Sequence, residues 1–343
     1  MDKVATFGEV MMRLSPPYGQ RLLQAAQFDI TFGGAESNVA ASLAKLGVPT
    51  EFVTALPENE IAEMCLRHLR GHQVGTKYIA RGEGRMGVYF LELGAAHRGS
   101  NVVYDRNESA LARIEEGTID WDQVFKEADW FHWTGITPAV SEGAAAVCDE
   151  ALDAAADADV TVSCDLNYRG KLWNWTDSPE DVMHGLVDKC DLAVANEEDA
   201  EDFFGISAPN TDVEAGEVDP EHYVTVCEQL SERFPRLDTV AVTLRGSLSA
   251  SHNTWTALLW DEGDVFTAPR YDIQPIVDRV GGGDSFNAGL IYGLKSDMNN
   301  QEALDFAVAA SCLKHSIWGD FNLCDKEEVE ELARGKGSGR VSR

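Results

Sequence analysis

The sequence predicts an α/β fold, a mainly parallel sheet covered by helices, and three observations carry that prediction. From residue 109 onward, short apolar runs of strand character alternate with longer runs of helical period, the βα alternation that builds parallel sheets. Polar clusters follow the apolar runs directly, as Asp165-Leu166-Asn167-Tyr168-Arg169, Asn196-Glu197-Glu198-Asp199 and Thr243-Leu244-Arg245-Gly246. Ligands of open α/β sheets bind at the carboxyl ends of strands, so these clusters share the placement an active site needs. Late in the chain, Asp278-Arg279-Val280-Gly281-Gly282-Gly283-Asp284 leads into a helical segment in which Phe286, Leu290, Gly293 and Leu294 share a face.

Taken in order, residues 4–11 read as a first buried strand, and residues 21–30 alternate loosely before Phe32-Gly33-Gly34-Ala35-Glu36-Ser37-Asn38. A helix follows, with Val39, Leu43 and Leu46 at i, i+4 and i+7 and Gly47 closing it. Residues 48–80 supply a short strand, a helix around 61–70 and another strand. Residues 86–93 alternate as a strand, with 101–106 as its hairpin partner. Further strands are predicted at 130–136, 160–165, 191–196, 239–246 and 255–260, and helices at 141–157, 197–204, 221–233, 301–317 and 325–334. Residues 207–220, rich in Pro, Asp and Glu, read as a surface loop, and 335–343 as a disordered tail. Neither repeat nor linker divides the chain, so 1–334 reads as one domain.

At 343 residues and 44% hydrophobic content, the chain is long enough to bury a sizeable core. It has no run of 18 apolar residues, and Met1-Asp2-Lys3 leads straight into a strand-like segment, which points to a soluble cytoplasmic protein. Seven cysteines, odd in number and without CxxC or Cys/His ligand spacing, predict reduced and mostly buried thiols. Acids outnumber bases 58 to 28, a net charge of −30 that repels nucleic acid and anionic membranes and excludes both as partners. The same surface repels small anions, so any anion site must be locally basic. Two readings of the acidity stay open: an ordinary acidic cytosolic enzyme, or a halophilic one, since screening over about 3 Å at molar salt removes the self-repulsion.

The glycine loop carries the most specific chemistry. Glycines ahead of a helix allow a turn that a Cβ would block, and they leave amides bare. The first N–H groups of a helix lack internal partners and carry the positive end of its dipole, which suits phosphate oxygens. Asp284 then has two readings: a helix N-cap, or a general base that takes a hydroxyl proton during phosphoryl transfer. The loop is not a P-loop, because no Gly-Lys-Ser/Thr follows. Nor is it a dinucleotide fingerprint, because it comes late and no suitably placed acid follows.

Gly281-Gly282-Gly283-Asp284-Ser285-Phe286, with Ala288-Gly289, resembles the C-terminal signature of the ribokinase (PfkB) family of carbohydrate kinases. Gly33-Gly34-Ala35-Glu36 with Asn38-Val39-Ala40 resembles the family's N-terminal sugar-binding signature. The likeness runs over roughly residues 3–334. It is greatest to the 2-keto-3-deoxygluconate kinases (2-dehydro-3-deoxygluconokinases), through Gly33-Gly34-Ala35-Glu36, Tyr104-Asp105-Arg106-Asn107 and Asp165-Leu166-Asn167-Tyr168-Arg169 with Leu172-Trp173. The resemblance implies a ribokinase-like three-layer α/β/α sandwich with a mainly parallel sheet and a small β-sheet lid from about 11–32 and 86–106.

The implied activity is ATP-dependent phosphorylation of the 6-hydroxyl of 2-keto-3-deoxygluconate, with Asp284 as base and Gly281, Gly282 and Gly283 as anion hole. Gly34, Asn38, Tyr89, Tyr104, Arg106, Asn167, Arg169 and Asp284 are the implied sugar contacts. Asn196, Thr243, Arg245, Gly246, Gly281, Gly283 and His315 fall to the nucleotide, and Asn196 with Asp199 to hydrated Mg²⁺. ATP, Mg²⁺ and a monovalent cation such as K⁺ are the implied cofactors, and a homodimer through the lid the implied assembly.

The chain departs from the family pattern at four places: Arg279 stands where a Thr or similar small residue is usual, Asp199 where Glu is, Ser247-Leu248-Ser249 where a glycine is expected, and Trp318 where Pro is. The residues themselves support a sugar acid, because a guanidinium grips a carboxylate through two hydrogen bonds. For Arg106 the plainer reading is a surface ion pair. Other acceptors stay open, namely 2-keto-3-deoxygalactonate, fructose, ribose or a nucleoside. So does a non-catalytic sugar-binding protein on the same fold.

Overall fold

Apolar runs buried on both sides assemble into one large sheet, seen in a computed structural model that describes residues 1–209 and 219–336. In chain order the first elements are β1 (Lys3–Phe7), β2 (Met11–Ser15), β3 (Asp29–Gly33), α1 (Ala35–Lys45), β4 (Thr50–Pro57), α2 (Glu60–Gly71), β5 (Ile79–Gly82), β6 (Val88–Glu92) and β7 (Asn101–Asp105). There follow α3 (Trp121–Phe125), β8 (Ala128–Thr134), α4 (Ile136–Val140), α5 (Glu142–Asp157), β9 (Thr161–Asp165), α6 (Pro179–Val187), β10 (Leu192–Ala195) and α7 (Asp199–Phe204). The last are α8 (Pro220–Arg233), β11 (Thr239–Ser249), β12 (His252–Asp261), β13 (Asp264–Thr267), β14 (Tyr271–Ile273), α9 (Gly282–Leu294), α10 (Asn300–Lys314) and α11 (Lys326–Ala333). Most of the predicted 207–220 loop and of the 335–343 tail lies outside the described residues.

The large sheet runs β13-β12-β11-β10-β9-β8-β1-β4-β5, with β14 beside β12. Neighbours from β11 to β5 pair in parallel, and β12, β13 and β14 form an antiparallel edge. Every residue of β4 and of β10 is buried, as a parallel sheet covered on both faces requires. On one face α3 to α8 enclose Phe131, Trp133, Leu152 and Val162. The other face packs α1, α9, α10 and α11 through Val39, Leu43, Ile291 and Phe306. Gly289 and Gly293 let α9 lie close on α10, since a Cβ at either would stand 2.7 Å from Ala307 Cα or 2.6 Å from Ala303 Cβ. This is the three-layer sandwich the sequence predicts.

A second sheet, β3-β2-β6-β7, covers one end of the first. It corrects the reading of residues 4–11 as one strand: β1 stops at Phe7 in the large sheet and β2 starts at Met11 in the small one. Gly8 makes the crossing, where a Cβ would overlap the Glu36 carboxylate. Continuous hydrophobicity hides such a change of sheet, because both strands are largely buried. All seven cysteines are free, and only Cys312 is partly accessible. Among the described residues, no helix is long and apolar enough to cross a membrane.

Candidate active site

A cavity of about 440 Å³ lies where the carboxyl ends of β9, β10 and β11 meet the first turn of α9 and the small sheet. Its size suits a small molecule. Gly281 takes a left-handed φ of 82° ahead of α9, and a Cβ there would overlap the Asp320 carbonyl oxygen. The helix's hydrogen bonds begin with Ser285 N donating to Gly281 O at 2.9 Å, so the amides of Gly283 and Asp284 precede them. Gly283 is different from Gly281: a Cβ on it would meet nothing within 4 Å. Packing does not demand glycine there, and the open space in front of it is where an anion would sit.

Gly281 is the N-cap and Asp284 makes no capping bond, which removes the capping reading of that aspartate. Asp284 Oδ2 instead accepts from Asn38 Nδ2 at 2.6 Å, across from α1. Burial pushes the Asp284 carboxyl up to about 6, against the Asn38 hydrogen bond, which pulls it down. Such a group is ionised at neutral pH and basic enough to take a proton from a hydroxyl as it reacts.

Two further acids share this wall. Glu36 Oε1 accepts from Thr134 N (3.2 Å), Thr134 Oγ1 (2.7 Å) and Thr137 Oγ1 (2.7 Å), and burial pushes its carboxyl up to about 7. Asp165 accepts from Asn287 Nδ2 at 2.7 Å, and burial, then the charges of Asp199 and Asp284, hold its carboxyl well above the usual range. Sequence reasoning did not single out Glu36 or Asn287, since a glutamate in a first helical turn reads as a partner for the dipole. Asp165 was visible as the head of the strand-end cluster 165–169, with no role of its own assigned.

Asp199 organises the turn between β10 and α7. Its Oδ1 accepts from Tyr168 N (2.9 Å) and its Oδ2 from Asn196 N (2.8 Å), while Asn196 Oδ1 accepts from Glu198 N (2.7 Å) and Asp199 N (3.0 Å). The shorter side chain is thus taken up by backbone amides.

The small sheet brings Tyr89, Tyr104 and Arg106 to the cavity. Arg106 is 7% exposed and its Nη2 lies 2.5 Å from Glu9 Oε2, so it is a buried pair and not the surface ion pair of the plainer reading. Arg169 is exposed at the mouth, bonded to the Tyr168 carbonyl at 2.6 Å. Beside it Asn167 holds a left-handed φ of 44°. Gly34 packs so closely that a Cβ would overlap the Glu9 carbonyl oxygen.

A buried ion cluster joins this sheet to the glycine loop. Arg13 of β2 donates from Nη2 to Asp278 Oδ2 (2.6 Å), from Nη1 to Asp320 Oδ1 (2.8 Å) and from Nε to Ser15 Oγ (2.8 Å). Asp278 Oδ1 accepts from Val280 N at 3.1 Å, and the Tyr89 hydroxyl donates to Asp320 Oδ2. Burial lowers the Arg13 pKa, but Asp320 and Asp278 outweigh it and raise the group above its ordinary value. Lys314 lies alongside, buried, its Nζ donating to Ile317 O at 3.0 Å and its pKa lowered by burial. Nothing in the sequence marks Arg13, which is one polar position in an alternating strand.

On the opposite wall, Thr243 Oγ1 donates to Ala195 O (3.3 Å), and Arg245 reaches Glu197 Oε1 at 3.6 Å. Two nucleotide contacts implied by resemblance do not line the cavity. Gly246 pairs with Thr254 in the β11–β12 ladder. His315 is buried under the loop, its Nδ1 on Ser311 O (2.8 Å) and its Cε1 2.9 Å from where a Gly282 Cβ would stand; burial lowers its pKa to about 4.

Among the described residues, no group of three or more His, Cys, Asp or Glu could cage a metal. Asn196, Glu197 and Glu198 nevertheless present oxygen donors to the cavity, which fits Mg²⁺ held through water and phosphates. Beside the loop, the carboxylates Asp278 and Asp320 are paired with Arg13.

A carboxylate base beside a bare helix end can deprotonate a hydroxyl while phosphoryl oxygens rest on the amides, the chemistry of a phosphotransferase acting on an alcohol. Residues 1–316 match the pfkB family of carbohydrate kinases, and the chain belongs to that family, a carbohydrate kinase of ribokinase-like fold. It is 33% identical to the 2-dehydro-3-deoxygalactonokinase of Haloferax volcanii over 98% of each chain. With the 2-dehydro-3-deoxygluconokinase of Bacillus subtilis it shares 27% identity, over 92% of this chain and 90% of the other. Among solved structures, the 2-dehydro-3-deoxygluconokinase of Thermotoga maritima superposes with a TM-score of 0.92 at 45% identity, covering 98% of this chain and 100% of that one.

Proposed function

We propose that this kinase transfers the γ-phosphoryl group of ATP to the 6-hydroxyl of 2-keto-3-deoxygluconate. The observation that carries the reading is Asp284, held by Asn38 at the open glycine end of α9 in the cavity that Arg106 and Arg169 also line. Asp284 takes the 6-hydroxyl proton as the oxygen bonds to phosphorus. The amides of the Gly281–Gly283 turn stabilise charge on the transferred oxygens. Arg169, which among the described residues has no carboxylate within 4.0 Å, holds the sugar carboxylate with Arg106, Tyr89 and Tyr104, while Gly34 and Asn167 shape the floor. Gripping the acid end in this way aims the far hydroxyl at the loop.

Thr243 and Arg245 face the phosphates, and Mg²⁺ held through water by Asn196 and the neighbouring glutamates would offset phosphate charge. The small sheet acts as a lid that excludes water as a competing acceptor. Its exposed Ile30 and Val103 mark the face for a second copy of the chain.

The 4-epimer, 2-keto-3-deoxygalactonate, is the second reading, favoured by the name of the Haloferax relative. Both acids offer the same carboxylate and terminal hydroxyl, so the groups named here serve either. ATP-dependent phosphorylation at molar KCl, with each acid, fructose and ribose as separate acceptors and Asp284→Asn as control, tests the proposal. Turnover confined to the sugar acids and lost in the variant is expected. Turnover only with neutral sugars would remove the carboxylate role given to the arginines.

A further inference from the structure

Arg279 opens the glycine loop as a large cation where the family pattern has a small residue, and its surroundings are unusual for this chain. With 58 acids against 28 bases, a carboxylate is near most cations. Among the described residues, the arginines without a carboxylate within 4.0 Å are Arg67, Arg70, Arg169, Arg270 and Arg279, and all but Arg279 are solvent-exposed. Arg279 is half-buried, and neutral groups hold it. Its Nη2 donates to Ser249 O (3.0 Å) and Ala250 O (2.9 Å), with Asn253 Oδ1 at 3.3 Å. Those acceptors fix the guanidinium without cancelling its charge, and they use one nitrogen of three, leaving Nε and Nη1 without partners among the described residues.

The neighbourhood adds to the imbalance. Arg245 lines the same cavity as Arg279 and the three glycines. Burial first, then the charge of Arg245, hold the Arg279 pKa below the guanidinium value, with Asp278 only partly offsetting them. Arg245 is part-exposed and reaches Glu197 only at 3.6 Å, so the two neighbouring cations are weakly compensated and suit an anion between them. The loop itself is tied to Arg279, because Gly282 N donates to the Arg279 carbonyl at 3.3 Å.

We propose that Arg279 is a ligand of the nucleotide's phosphate chain, taking phosphoryl oxygens through Nε and Nη1 beside the Gly281–Gly283 amides and sharing them with Arg245. The inference rests on the kinase reading, since it needs ATP in this cavity. A residue that only pinned the Ser249–Ala250 turn would need no charge.

Titration calorimetry with ATP and Mg²⁺, without any sugar acceptor, separates the two roles. Arg279→Met is expected to weaken ATP about 30-fold, the loss of a charge-assisted hydrogen bond, with Arg279→Lys in between. Asn253→Ala removes one anchor but keeps the charge, and is expected to leave ATP affinity within about 3-fold of the parent. An Arg279→Met protein that binds ATP like the parent would overturn the inference. So would an Asn253→Ala loss equal to that of Arg279→Met, which would assign the effect to the turn. If Arg279→Met does not fold, Arg279→Lys decides, and parent-like affinity in it overturns the proposal. A parent chain that binds no ATP overturns this inference and the kinase reading together, whereas ATP binding that Arg279 does not influence overturns this one alone.

Discussion

The two ends of the cavity carry the same kind of cation in opposite states. At the small-sheet end Arg106 is buried against Glu9 at 2.5 Å, and Arg13 of the same sheet is shared between Asp278 and Asp320. At the glycine-loop end Arg279 meets only carbonyl oxygens, and Arg245 reaches Glu197 no closer than 3.6 Å. A paired buried arginine is a strut: its charge is balanced, and removing it strands a carboxylate. One without a carboxylate is free to answer a ligand's charge. In a chain of net charge −30, the pairing of an arginine locates an anion site better than its presence does.

The largest effect is expected from removing Asp284, the proposed base. Asp284→Asn is expected to lower kcat about 10³-fold, with ATP affinity within about 3-fold, by steady-state kinetics and calorimetry. Retained turnover would take Asp284 out of the proton transfer. Next, Arg13→Met leaves Asp278 and Asp320 without their shared cation and should cost about 3–5 kcal/mol in urea unfolding, since breaking a buried pair leaves uncompensated charge. A loss below about 1 kcal/mol would mean that the strut carries little of the fold.

The sugar-side arginines sharpen the contrast. Arg169→Met should raise KM for the sugar acid about 30-fold at unchanged thermal midpoint, because the residue is exposed and bonds only a carbonyl. Arg106→Met should raise KM and also lower the midpoint, because Glu9 then stays buried alone. Equal stability in the two variants would erase the distinction between strut and ligand. Glycines at the other end divide in the same way. Gly283→Ala puts its methyl group into open space and should keep or raise stability by about 0.5 kcal/mol while lowering kcat about tenfold, whereas Gly281→Ala destabilises.

The mildest test is pH. The Asp284 carboxyl is raised to about 6; if it is the base, as proposed, activity is expected to be full above that value and kcat/KM to fall about tenfold per unit below it. Stability moves the other way at Glu36. Its folded value of about 7 lies above the unfolded one, so its contribution is complete below about pH 4.5 and is lost as pH rises through 7. Glu36→Gln should flatten that decline in the thermal midpoint, and an identical decline in the variant would mean that other groups cause it.

Much of this was legible because it is local. The βα alternation, the helix carrying Phe286 and Leu290, and the strand-end clusters around Asp165, Asn196 and Thr243 are patterns over a few residues, set by side-chain period and backbone freedom. The bare turn at Gly281–Gly283 is equally local. Charge pairing is not. Arg13 finds its partners 265 and 307 residues away, and Arg106 finds Glu9 across the junction of the two sheets, so no spacing rule could pair them. The tertiary structure alone placed His315 beneath the loop instead of in the cavity, committed Asp199 to backbone amides, and left Arg279 with no carboxylate within 4.0 Å among the described residues. Sequence by itself determined which groups are present and the order of the elements. Which charges are already balanced, and so which remain for a ligand, depends on three-dimensional proximity, because electrostatic energy falls with distance in space and not with separation along the chain.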